Sequence, residues 1–145
     1  GEWQWTPGFS TDWEFRAAAA WARGRDLARD RPLNSVAPAR IVLGASWAPV
    51  RADYGVEAVA TGVAGQSRLD ESAGPLFHAP GHGLFDLHAW WRPAQVVRVN
   101  LSLLNAFDHR HWDWSTVRGV SATAAALEFY TRPGRSLALS VSFDW

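Results

Sequence analysis

Five histidines are the side chains of this 145-residue chain best suited to chemistry. His78 and His82 stand four apart, His109 and His111 two apart, and His88 alone. Imidazole nitrogens ligate haem iron and divalent metals. No Cys, Asp or Glu falls beside His78 and His82 at ligand spacing, and no H-E-x-x-H occurs, so no metal site is assigned. Histidine pairs in polar segments are equally read as solvated side chains. Trp112 and Trp114 flank Asp113. One reading is contact with a bound ligand. The other is an aromatic anchor for a loop at a membrane interface, which the interfacial preference of Trp favours. Catalytic residues are not expected. The chain contains no G-x-S-x-G and no phosphate-binding Gly-rich loop. Glu57 and Asp86 are carboxylates, but their spacing does not place them in one cleft, as a glycosidase would require.

The elements that must position these residues are strands. In Leu137-Ala138-Leu139-Ser140-Val141-Ser142-Phe143-Asp144-Trp145 the odd positions are apolar or aromatic and the even ones small or polar. On a strand that alternation makes one face wholly apolar. Strands are expected at 13–22, 38–48, 53–66, 82–92, 96–107 and 134–145, after a strand end at 2–5. The segment 14–30 is rich in the helix formers Ala, Arg and Leu. Trp13, Phe15 and Trp21 nevertheless share one strand parity, so a strand is preferred there, with room for a helical turn in the loop that follows.

Connections alternate in length: short at 6–11, 48–53 and 93–95, long at 23–38, 66–81 and 108–133. Outer-membrane barrels keep this rhythm because their periplasmic turns are short and their extracellular loops long. Glu14, Arg16, Arg40, Glu57, Asp86, His88, Arg92, Arg98, Asn100 and Asp144 all fall on the other strand parity. In a dry sandwich core each would need a partner. In a wide barrel they face water or a plug.

The bulk numbers fit that reading. There are 14 basic and 14 acidic residues, hence no net charge and no pull toward nucleic acid. Cys is absent, which excludes a disulfide framework. Met is absent even at position 1, so Gly1 is expected to be a cut point in a longer chain. Apolar runs fall short of the ~18 residues of a spanning helix. Ten Trp suit a bilayer interface.

Three segments carry a family resemblance: Arg31-Pro32-Leu33-Asn34-Ser35-Val36-Ala37-Pro38; Leu104-Asn105-Ala106-Phe107-Asp108 leading into Trp112-Asp113-Trp114-Ser115-Thr116-Val117-Arg118-Gly119; and Tyr130-Thr131-Arg132-Pro133-Gly134-Arg135-Ser136. With the aromatic C-terminus they resemble the C-terminal part of TonB-dependent outer-membrane receptors, in the haem/haemoglobin and lactoferrin/transferrin group. The chain departs from the family pattern at Ala106, His109, Arg110 and His111.

The resemblance implies an all-β fold: residues 1–145 as antiparallel up-and-down strands of a transmembrane barrel of about 22 strands, without its plug. It implies a non-enzymatic transporter in the outer membrane of a Gram-negative bacterium, with no permanent cofactor and haem as the candidate transported ligand. Its partners would be the TonB system through the absent plug, the barrel-assembly machinery, haem or a haemoprotein, and outer-membrane lipid. The family's principal haem-ligand motifs do not occur here, so His78, His82, Trp112 and Trp114 are kept only as candidate loop contacts. Leu139, Val141, Phe143 and Trp145 form the expected assembly signal. Leu87, Trp91, Val99, Leu101, Leu139, Val141 and Phe143 should face lipid, and Asp86, Arg98, Asn100 and Ser140 the lumen. Competing readings are a siderophore-type receptor, a small outer-membrane anchor or adhesin barrel, and a soluble lipocalin-type barrel with its apolar face inward.

Overall fold

The structure, a computed structural model, describes residues 1–5 and 12–144. The expected turn at Pro7-Gly8 and the terminal Trp145 lie outside the described residues. Among the described residues nine strands follow in chain order: β1 (Glu2–Trp5), β2 (Trp13–Ala20), β3 (Arg25–Asp26), β4 (Arg31–Pro32), β5 (Arg40–Trp47), β6 (Tyr54–Val63), β7 (His82–Ala94), β8 (Val97–Leu104) and β9 (Ser136–Phe143). A single helical turn, α1 (Trp114–Val117), and a 3-10 segment, Ala125–Tyr130, lie between β8 and β9. Among the described residues no helix is long and apolar enough to cross a membrane.

Seven strands make one sheet in the order β1-β2-β5-β6-β7-β8-β9, and every pairing is antiparallel. This is the expected meander. Its long strands run from 8 to 13 residues, a range that includes the ~9–11 of a tilted membrane crossing. The segment with helix-forming composition is strand β2, because Trp13, Phe15 and Ala17 lie in register with Trp47, Ala45 and Leu43. Tertiary pairing overrides propensity here. The loop after it holds the small β3–β4 hairpin rather than a helical turn. The Asp26 carboxylate accepts from the Ala28 and Arg29 amides, which closes that hairpin.

One boundary moves. The turn expected at 93–95 lies at 95–96, and β7 continues through Pro93 across a register shift between Trp91 and Ala94. Proline offers no N–H to a ladder, and a bulge is where a strand tolerates it.

The register places Phe15, Ala45, Ala58 and Leu87 in one row across the sheet, with Trp91, Val99 and Val141 in another. This apolar face is left uncovered: Leu87 is 41%, Trp91 56% and Leu101 47% accessible. A row of stacked or tilted rings runs along its short-turn end, from Trp3 through Trp5, Phe15, Trp13 and Trp47 to Tyr54, with centroids 5.8–6.4 Å apart. An aromatic border on an exposed apolar face is the form of a barrel's lipid interface.

The opposite face is polar and internally bonded. Arg16 pairs with Glu57 and Glu14, His88 Nδ1 lies 2.9 Å from Ser102 Oγ, and Asn100 Nδ2 donates to Ser140 Oγ at 3.3 Å. Water or a plug was expected to satisfy these groups. Several instead satisfy one another, because facing residues on adjacent strands stand within side-chain reach. Among the described residues the buried apolar side chains are Ala79, Trp114 and Val117, all in the connections between strands of the sheet. The sheet covers no core, which is the inverse of a lipocalin or a sandwich.

Candidate functional site at the long-loop end

An antiparallel meander with alternating connections brings its three long loops, 21–39, 64–81 and 105–135, to one end of the sheet. There they lock together. Asn34 joins the first to the second: its Nδ2 donates to the Asp70 carbonyl at 2.9 Å, and its Oδ1 accepts from the Asp70 amide at 2.6 Å. Gln66 Nε2 adds a bond to the Val36 carbonyl, and Arg31 lies 3.6 Å from the Asp70 carboxylate. The second and third loops share backbone bonds, Phe77 amide to Val120 carbonyl and Ala122 amide to Pro75 carbonyl. Around these contacts Ala79, Trp114 and Val117 form a small core, flanked by Leu69, Phe77, Trp112 and Val120.

Asn105 governs the departure of the third loop from β8. It is 5% exposed and adopts φ +49°, a conformation that Asn tolerates better than most residues. Its amide donates to Asp86 Oδ1 at 2.7 Å, its Oδ1 accepts from the His109 amide, and its Nδ2 reaches the His109 and Pro133 carbonyls. Asp108, also at positive φ, accepts from the Arg135 amide at 2.7 Å and so ties the loop's start to its end. A Cβ on Gly134 would lie 2.4 Å from that carboxylate oxygen. Gly119, at φ +80°, supplies the left-handed turn after α1.

The candidate contacts separate. His78 is exposed and pairs with Glu71 at 3.2 Å. The Leu76 amide, then His78, hold the Glu71 carboxyl below its usual range. The Ser72 backbone and side chain, then Arg31, do the same for Asp70. His82, at the start of β7, meets His111 rather than His78, with ring centroids 4.7 Å apart. Trp112 donates Nε1–H to the Leu127 carbonyl, stands edge-on to Phe77 and lies under Arg110. Trp114 is inside the loop core, 8% exposed, with Nε1 buried and unbonded.

Sequence reasoning did not single out Asn34 as a site residue, ranked His111 below His78 and His82, and left Asp113 without a role. A signal for the last two was present. His111-Trp112-Asp113 is extended, and residues two apart on an extended chain point the same way.

The fold defined by these strands and loops is shared with segments of two larger solved proteins. At 22% identity and a TM-score of 0.84, 98% of the chain matches the solved copper transporter OprC, covering 22% of that protein. At 18% identity and a TM-score of 0.71, 98% also matches a double mutant of the ferric enterobactin receptor PfeA from Pseudomonas aeruginosa, covering 21% of it. The chain thus spans about a fifth of the length of these structures. No protein-family model and no curated protein matches the sequence.

Proposed function

We propose that this chain forms part of the barrel wall of a TonB-dependent outer-membrane transporter in a Gram-negative bacterium, carrying haem or a related iron complex. The observation that carries the transporter reading is the two-faced sheet. Its exposed apolar face is bordered by rings at one end, and its polar face bears a network of charges. A bilayer-spanning wall around a hydrated lumen needs both. The chain contributes no catalysis. Energy would come from the inner-membrane TonB system acting on a plug outside these residues, and the barrel-assembly machinery would insert the wall.

The haem assignment rests on the W-D-W-S-T-V-R-G and P-L-N-S strings. A second reading, uptake of a ferric siderophore or another metal, is favoured by the two similar structures, a copper transporter and a ferric enterobactin receptor. Deleting the gene in its native host separates these. Loss of growth on haem as sole iron source, restored by the gene only when TonB is present, is the expected result. Unchanged growth on haem with lost growth on a ferric siderophore would move the assignment to the second reading. Recovery of the protein outside the outer-membrane fraction would overturn both.

A further inference from the structure

His82, His111 and Asp113 converge at the long-loop end, each offering one ligand atom, and the three atoms lie within 4.8 Å of one another. We propose that these residues bind a divalent first-row transition-metal ion, of the Zn²⁺ or Cu²⁺ class, that clips the third long loop to the start of β7. The proposal is independent of what the barrel transports.

Three features of the surroundings point to a ligand. His111, 6% exposed, donates Nδ1–H to the His109 carbonyl at 3.1 Å. That bond fixes the tautomer and leaves the Nε2 lone pair free, the arrangement usual for a metal-ligating histidine. His82 Nδ1 is buried, and the Pro80 backbone beside it does not complete a well-aligned hydrogen bond, a costly state for a ring nitrogen. Asp113 is oriented by Arg132, whose Nε lies 3.0 Å from Oδ2, so the carboxylate can bind through its other oxygen.

Two imidazoles and a carboxylate suit Zn²⁺ or Cu²⁺ and leave a fourth position for water. Tetrahedral bonds of ~2.0–2.1 Å put ligand atoms about 3.4 Å apart, so binding requires side-chain movements of roughly an ångström. The three residues come from two segments distant in sequence, and an ion joining them would restrain the loop.

The test uses the complete polypeptide containing this chain, purified in detergent, stripped with chelator and titrated with Cu²⁺ or Zn²⁺ alone. One equivalent of Cu²⁺ with two-nitrogen coordination in its electron paramagnetic resonance spectrum is expected. His82→Ala and His111→Ala should each remove that equivalent or weaken it at least ~10-fold. The near-isosteric Asp113→Asn, which preserves packing, should weaken it while retaining both nitrogens. His78→Ala should leave it unchanged. Metal should also protect residues 108–133 from protease in the wild type and not in His82→Ala, which separates loss of binding from loss of folding. Binding that survives His82→Ala and His111→Ala, equal loss in His78→Ala, or no stoichiometric binding by the wild type would overturn the site.

Discussion

Asn105 holds both ends of the 105–135 loop through one side chain, and its replacement should be costly out of proportion to its size. Asn105→Ala removes bonds to His109 and Pro133 and leaves a non-glycine residue at φ +49°. A loss of about 2–4 kcal/mol in loop stability is expected. Asn105→Gly should lose slightly less, because only the backbone strain is relieved. Protease nicking of residues 108–133 on intact cells measures both, and nicking at the wild-type rate in Asn105→Ala would refute the role. Gly134→Ala should act through a different route, pushing Asp108 off the Arg135 amide. Single residues of this kind were partly legible in the sequence. Asp108 and Gly134 are turn formers by type. The meeting of His82 with His111 was not legible, since it depends on how two loops fold against each other rather than on any local spacing.

The long strands and their faces followed from period-two alternation, which survives one-sided burial whether lipid or core does the burying. Ends were less legible. Pro93 marks a turn by composition, and only the pairing with β8 reveals that β7 absorbs it in a bulge. The last strand carries a prediction of its own. β9 pairs with β8 alone and presents Leu139, Val141 and Phe143 on the exposed face. Changing Phe143 and Trp145 to polar residues should lower the amount of protein in the outer membrane, because strand addition reads backbone and alternate side chains together. Ligand affinity per inserted molecule should not change. Normal outer-membrane levels in the double variant would refute the assembly role. The 64–81 loop carries a pH dependence. Glu71 has its carboxyl lowered from 4.5 by the Leu76 amide and His78. A folded value below the unfolded one means the contribution is complete above 4.5 and fades as pH falls through the folded value. Protease sensitivity of this loop should therefore rise only below 4.5, and Glu71→Gln should remove Glu71's part of that dependence.

At the scale of the whole molecule, the chain joins an uncovered apolar sheet to a self-contained loop cap. The sheet has β1 and β9 as free edges among the described residues, and the chain's formal net charge is zero. The isolated 145 residues should therefore associate in plain buffer and gain strand content in detergent micelles. Circular dichroism and size-exclusion chromatography report on both, and a monodisperse monomer without detergent would contradict the lipid-facing assignment. The interlocking through Asn34–Asp70 and Phe77–Val120 has a kinetic consequence. None of the three long loops can swing outward without breaking bonds in a neighbour, so local opening is cooperative. Amide hydrogens of Asp70, Phe77 and Ala122 should exchange with one shared opening free energy, although they belong to two loops. A molecule crossing this end of the strands would then meet a single obstacle that yields in one step.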